Sequence, residues 1–200
     1  MPNKVDLRGD DLCPNNRRIA LIQFIKLIGY EEEIDMAKRK NQEILNRLES
    51  KVKENLNLCG NCAQTTFLSL QDEFDLEGEA ILKALTPFPG IALRGETCGA
   101  VTGGLMALGL IHGRDKENLN NWQAYLDSLP PSRKFCRRFE DELGSTMCAD
   151  IVESQFGRRF DLANPIEAMQ WMNCGALEKC GYVIGKGVRI AAEIILETQD

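Results

Sequence analysis

The sequence predicts an all-α protein, a multi-helix bundle with its cysteines near helix N-termini. Three observations indicate this fold class: apolar residues recur at helical spacing, cap residues precede several of these stretches, and alternating strand-like runs bounded by turns are absent. With 200 residues and 44% hydrophobic content, the chain is long enough to bury a core. Its 30 acidic against 24 basic residues offer no broad cationic surface, so no nucleic-acid binding is expected.

Helical periodicity covers the first half of the chain. Helices are predicted over about residues 15–28, 31–58, 61–73 and 76–85. Gly29 is expected to close the first of them, after an irregular arm at 1–14. The second is the clearest helix in the protein, because its apolar positions recur every three or four residues along its length. Pro87 and Pro89 then break the helical pattern.

Cap signals delimit further helices in the second half. These helices are predicted from about residue 97 to 112, from 122 to 129, through 135–143, after Ser145, from 165, and from 175 to 197. Asn164, Pro165 and Glu167 supply a cap residue, a first-turn proline and an acidic side chain. His112 is expected to act electrostatically at the end of its helix.

No segment predicts membrane insertion or export. The apolar stretch at 19–28 is interrupted by Gln23 and Lys26, and it falls short of the roughly 20 residues that a spanning helix needs. Arg17 and Arg18 resemble a twin-arginine export signal, but acidic residues rather than a cleavage site follow the apolar run. We therefore expect a cytoplasmic protein with no membrane span.

Eight cysteines are the main chemical feature of the sequence. They are Cys13, Cys59, Cys62, Cys98, Cys136, Cys148, Cys174 and Cys180. Because no export leader is expected and a chain of this length does not need disulfide staples, sulfur chemistry or metal binding is the expected use. The alternative for any single cysteine is a buried small hydrophobic residue, and this is the favoured interpretation of Cys13 and Cys136.

Three of the cysteines fall in the first turns of predicted helices. Each lies just behind a residue that can cap a helix: Cys62 after Asn61, Cys98 after Thr97, and Cys148 three residues after Ser145. Free N–H groups and the helix dipole stabilise a negative sulfur there, so a lowered pKa is expected, which suits a nucleophile or a metal ligand. Cys174 and Cys180 lie at or near the start of the last helix.

Glycines accompany two of the cysteine-bearing helices. They occupy positions 99, 103, 104 and 109 after Cys98, and positions 181, 185 and 187 after Cys180. Each interior glycine costs a helix about 1 kcal/mol relative to alanine. Two explanations stay open at this point: close helix–helix contact, and direct approach of a cofactor to the backbone.

The cysteine and glycine pattern resembles a known family. The segments that carry the likeness are Cys62-Ala63-Gln64, Arg94 to Gly104, Gly144 to Cys148, and Cys180 ahead of Ala191 to Ile194. Over about residues 55–198 they resemble the redox-active proteins named for their C-GCAxxG-C-C cysteine pattern, with the block at 98–103 as the most specific element. The resemblance implies that Cys62, Cys98, Cys148 and Cys180 are the functional four and that the other cysteines are extra.

Part of the pattern is also similar to the cysteine-rich portion of split-Soret cytochrome c, in which an iron–sulfur centre accompanies the haems. No haem attachment motif is present here, so only the iron–sulfur half of that likeness carries over.

Cys59 departs from the plain four-cysteine pattern and leaves open whether it or Cys62 is the ligand, and Cys174 is a similar alternative to Cys180. We expect a helical extension over 1–54 and a cysteine-rich redox domain over 55–200, which can also pack as one domain.

Three functions are therefore considered. The first is an iron–sulfur protein for electron transfer or redox sensing, with a [2Fe–2S] cluster favoured and a [4Fe–4S] cluster as the alternative, held by Cys62, Cys98, Cys148 and Cys180. The second is a thiol/disulfide redox enzyme that uses a low-pKa cysteine. The third is a helical scaffold with structural zinc or core cysteines. An unidentified redox protein is the expected partner, and the long helix at 31–58 permits a homodimer.

Overall fold

Helices account for nearly all of the regular structure. The computed structural model describes the backbone of residues 14–198 and the side chains of residues 32–198. The elements are α1 Pro14–Cys59, α2 Cys62–Phe74, α3 Glu79–Ala84, α4 Gly90–Leu93, α5 Gly99–His112, a 3₁₀ helix Lys116–Asn118, α6 Trp122–Asp127, α7 Pro130–Leu143, α8 Cys148–Phe156, α9 Pro165–Asn173 and α10 Ala176–Glu197. Residues 14–198 contain no β-strand, so the all-α prediction is confirmed.

The chain divides into two compact units, Met1–Gln42 and Glu43–Asp200. The first includes the beginning of α1, where Arg39 and Asp35 form an exposed ion pair of 2.7 Å one turn apart. Helix α1 continues through Gly29, so the predicted helix end at that residue is wrong. An interior glycine costs only about 1 kcal/mol, and no proline follows it to force a break.

The core of the second unit lies between α2, α5, α7 and α10, in which α5 and α10 pack against each other and against both α2 and α7. Its largest fully buried side chains include Phe67, Phe135 and Phe139. The part of α1 within this unit adds a buried stripe at 44, 45, 48, 52 and 56, as its helical periodicity predicts. Fully burying one such apolar side chain contributes about 1.5–3 kcal/mol to folding stability. The packing of these four helices therefore fixes the positions of the residues that they carry.

The glycines of α5 allow it to approach its neighbours closely. A Cβ on Gly103 would lie 2.4 Å from the Ala63 carbonyl oxygen of α2, and a Cβ on Gly104 would lie 2.6 Å from the Phe135 ring of α7. Close helix–helix contact is therefore confirmed as the reason for these two glycines, and this packing offsets their cost in helix stability.

Other sequence signals have direct structural counterparts. Asn61 caps α2 and Asn164 caps α9, in each case by accepting backbone N–H groups, as predicted. His112 lies in the last turn of α5 as expected, but partial burial lowers its pKa and so disfavours the charged form that the predicted electrostatic role requires. Among residues 14–198, none of the helices combines the length and the hydrophobicity that crossing a bilayer requires.

Candidate functional site

Four cysteines from separate segments line one cavity in the second unit. Cys62, Cys98, Cys148 and Cys180 all contribute to its wall, and its volume is about 50 Å³. Cys98 is buried and the other three are half-buried. The volume exceeds the roughly 10–15 Å³ that a cavity needs to hold a single water molecule. These four thiols are the set that the sequence pattern singled out.

Cys62 is positioned by the start of α2 and by α5. It is the first residue of α2, directly behind Asn61, whose side-chain oxygen accepts the N–H groups of Ala63 and Gln64 at 3.0 Å each. A Cβ on Gly99 would lie 2.3 Å from Cys62 Sγ. Only glycine at position 99 leaves room for this sulfur, so a second glycine of the C-G-A-x-x-G block has a steric role.

A short stretch of backbone pairing joins the segments that carry Cys98 and Cys148. An isolated antiparallel bridge connects Thr97 with Met147, the residues that precede the two cysteines. The Cys98 N–H donates to the Thr146 carbonyl at 2.8 Å, and the Cys148 N–H donates to the Glu96 carbonyl at 2.7 Å. This pairing brings together two cysteines that are 50 positions apart in the sequence.

The helix starts at these two cysteines differ in detail from the predicted ones. Cys98 is itself the cap residue of α5, which begins at Gly99, so Thr97 does not cap it. Helix α8 begins at Cys148 with Met147 as its cap residue. Ser145 instead stabilises the preceding turn: its hydroxyl accepts the Met147 N–H and donates to the Asp150 carboxylate, each at 3.0 Å.

A left-handed backbone segment lies against Cys148. Gly90, Ile91, Ala92 and Leu93 have φ angles of 50°, 47°, 58° and 64°, a conformation that costs a non-glycine residue about 1–2 kcal/mol. A Cβ on Gly90 would lie 3.4 Å from Cys148 Sγ, so this backbone approaches the sulfur directly. The sequence predicted only a chain break here, and no local signal favours positive φ at a β-branched isoleucine.

Cys180 is the fifth residue of α10, beyond the free N–H groups of that helix's first turn. The other described cysteines do not line the cavity. Cys59 ends α1, Cys136 lies on α7, and Cys174 is an exposed residue at the end of α9. At both positions where the sequence left a choice, the cavity is lined by the cysteine of the family pattern. Cys13 lies outside the described residues.

Burial dominates the protonation of the four thiols. It raises the pKa of Cys148 and of Cys180 to about 12, and it raises the pKa of Cys98 well above its ordinary value. The neighbouring thiols raise each of these pKa values further. The four sulfurs are therefore close enough to act on one another electrostatically.

Backbone amides oppose this effect at two of the thiols. The Gly99, Cys62 and Ala63 amides lower the pKa of Cys62, although burial outweighs them and the net shift is upward. The Ala100 amide likewise lowers the pKa of Cys98 without forming a full capping hydrogen bond. The predicted lowering of the pKa is wrong for the thiols themselves, because the desolvation of a buried anion exceeds what the helix start supplies.

The rest of the cavity wall is apolar, and it includes one residue that the sequence did not reveal, Trp171. Ile151, Val152, Leu162, Val183 and Ile184 line it, together with Pro89, Leu93 and Trp171. The indole nitrogen of Trp171 is buried and has no hydrogen-bond partner among the described residues. Leu93 is 44% exposed, which places one side of the cavity near the surface.

The donor set of the cavity suits an anionic, sulfur-ligated group. It comprises four thiols and the amides beside Cys62 and Cys98, and the wall includes Trp171, whose indole N–H is buried without a partner among the described residues. Among the described residues, no three His, Cys, Asp or Glu side chains are already arranged to hold a single metal ion. The thiols therefore share a cavity without being closed around one point.

A larger groove of about 770 Å³ runs between α1 and α10 within the second unit. Leu56, Leu177 and Tyr182 are among the residues that line it, and none of the four cavity cysteines does. The groove and the cysteine cavity are thus separate features of α10.

The fold and the cavity together define an all-α protein with a four-cysteine site. Residues 60–194 match the family model described as "Putative redox-active protein (C_GCAxxG_C_C)". The match covers more than half of the chain, so the protein belongs to this family, and the predicted resemblance is confirmed. No curated protein and no solved structure matches the chain. The likeness to split-Soret cytochrome c stays a prediction.

Proposed function

We propose that the protein is an iron–sulfur protein for electron transfer or redox sensing. Cys62, Cys98, Cys148 and Cys180 hold the cluster, for which the [2Fe–2S] form is favoured. The observation that carries the proposal is the convergence of these four thiols, and no other described cysteine, on one apolar cavity. An iron–sulfur cluster supplies reversible one-electron transfer when it is bound.

The protein's own residues supply a rigid frame for four ligands. Helices α2, α5 and α10 belong to the mutually packed core, and each carries one of the cysteines at or near its start. The backbone pairing between Thr97 and Met147 attaches Cys148 of α8 to this frame. Ligands held by a packed core lose little conformational entropy on binding, which favours a single ligand geometry.

The surroundings of the thiols suit negative charge once iron replaces their protons. The amides of Gly99 and Ala63 face Cys62, and the Ala100 amide faces Cys98. Hydrogen bonds to cluster sulfurs and exclusion of solvent are two ways in which proteins set a reduction potential. The apolar walls exclude water, while the partly exposed Leu93 leaves a short path to the surface for electron exchange.

The test begins with protein purified without oxygen and analysed for iron, acid-labile sulfide and visible absorption. We expect a brown protein with two irons and two sulfides per chain for a [2Fe–2S] cluster, or four of each for a [4Fe–4S] cluster. Colourless protein that contains zinc would support the scaffold instead. Colourless, metal-free protein with a titratable reactive thiol would support the dithiol enzyme.

A pair of cysteine variants tests the ligand assignment. Cys98→Ser should abolish the absorption, and serine is a favoured cap residue, so α5 should keep its start. Cys136→Ser is the matched control, because Cys136 is half-buried but does not line the cavity. Full absorption and iron content in Cys98→Ser, with helicity unchanged by circular dichroism, would refute this ligand set.

A further inference from the structure

We propose that Trp171 donates its indole N–H to a sulfur atom of the cluster and thereby raises its reduction potential. The inference rests on the proposed function. Two observations carry it: Trp171 lines the four-cysteine cavity, and its Nε1 is buried without any hydrogen-bond partner among the described residues. The chain contains two tryptophans, Trp122 and Trp171.

The chemistry of the indole N–H requires an acceptor. Indole nitrogen is a donor only, and a buried donor left unpaired costs the full desolvation of that group. Buried polar groups are therefore almost always paired, with protein, water or a ligand. The other residues that line the cavity with Trp171 are aliphatic side chains and the four cysteines. A sulfide or thiolate sulfur of a cluster in this cavity is the acceptor that fits.

Trp171 is held in place by the helix that carries it. Helix α9 starts at a capped proline, with the Asn164 side chain accepting the Ile166 N–H at 2.9 Å. Near its other end, Arg158 donates to the side-chain oxygen of Gln170, the residue before Trp171, at 2.9 Å. The indole is thus presented by an anchored segment rather than by a loop.

The effect on the potential has a definite sign. Reduction adds one electron to the cluster and makes its sulfurs more negative, while the indole keeps its proton. The N–H therefore stabilises the reduced form more than the oxidised form. Removing it should shift the reduction equilibrium toward the oxidised form by up to about tenfold, which for one electron is a potential lower by up to about 59 mV.

Trp171→Phe removes the N–H and keeps an aromatic ring in the wall. Its potential, measured by mediated redox titration, should be lower than that of the wild type. Trp122→Phe is the matched control, because Trp122 is 68% exposed on α6 and should leave the potential unchanged. An unchanged potential in Trp171→Phe, with normal iron and sulfide content, overturns the inference and leaves the proposed function standing.

A second measurement does not require a Trp171 variant. Trp122→Phe protein carries Trp171 as its only tryptophan, which can be labelled with ¹⁵N at the indole nitrogen. After dithionite reduction, pulsed electron paramagnetic resonance should detect coupling of the cluster spin to this nitrogen and to a proton that exchanges in D₂O. Absence of both couplings overturns the inference. This test remains available if the Trp171→Phe protein does not retain a cluster, because it uses protein that keeps Trp171. Wild-type protein without iron or sulfide overturns both proposals.

Discussion

The contact between α5 and α2 permits a quantitative test at Gly103. In Gly103→Ala the added Cβ would meet the Ala63 carbonyl oxygen at 2.4 Å and Thr66 Cβ at 2.8 Å. An ordinary contact begins near 3.4 Å, so the helices must separate locally by about 1 Å. The obstacle is helix backbone, which cannot rotate away as a side chain tip can.

The expected cost follows from two opposing effects. Overpacking of a well-packed interior costs about 1–3 kcal/mol, and a contact with backbone belongs at the upper end. Replacing an interior glycine by alanine favours the helix by about 1 kcal/mol. We therefore expect Gly103→Ala to lower the free energy of unfolding by about 2 kcal/mol, or the melting temperature by about 4–8 °C for a chain of this size.

Urea denaturation followed by circular dichroism measures this change. Gly109→Ala is the matched control, because it lies in the same helix and a Cβ there would meet nothing within 4 Å. This control should gain up to about 1 kcal/mol from helix propensity alone. Gly103→Ala protein as stable as the Gly109→Ala control would refute the packing argument.

Two further predictions concern the surroundings of the cysteines. Gly95 and Gly144 both have φ of 80°, but only a Cβ on Gly95 would meet a neighbour, Ala149 Cβ at 2.9 Å. Gly144→Ala should lower the free energy of unfolding by about 1–2 kcal/mol, and Gly95→Ala should lower it more and bind less iron. Equal losses for the two variants in urea denaturation would contradict this. In reduced, iron-free protein, burial raises the pKa of Cys148 from 9.0 to about 12. Its contribution to stability is therefore fully present below about pH 9 and is lost towards about pH 12, because the unfolded chain releases this proton first. In Cys148→Ser, the free energy of unfolding measured in urea should decline less steeply with rising pH, by about 1.4 kcal/mol per pH unit. Identical slopes in the variant and the wild type would contradict the assignment.

The four-cysteine set shows how much of the candidate site a local sequence pattern identifies. The C-G-A-x-x-G block singled out Cys98, and family resemblance added Cys62, Cys148 and Cys180 to it. The cavity is lined by these four. Sequence spacing alone did not separate Cys62 from Cys59, because the two are three residues apart and only the turn between α1 and α2 directs one of them to the cavity.

Two features of the site had no usable signal in the sequence. Trp171 lies in a helix whose other large apolar residues, such as Met169 and Ile166, are exposed, so periodicity did not mark it as part of a site. The left-handed segment at 90–93 places Gly90 against Cys148, although Gly90 is its only residue that favours positive φ. Both features are evident only in the tertiary structure.

The sequence by itself determined most of the helices and their caps at Asn61 and Asn164, because helical periodicity and capping are carried by residues near one another in the chain. The family resemblance named the four cysteines that line the cavity. Only the tertiary structure decided that α1 continues through Gly29, that the Cys98 and Cys148 segments pair, and that the thiol pKa values are raised rather than lowered. The physical reason is that burial sums contributions from many distant residues, and in this cavity that sum exceeds the local effect of a helix start.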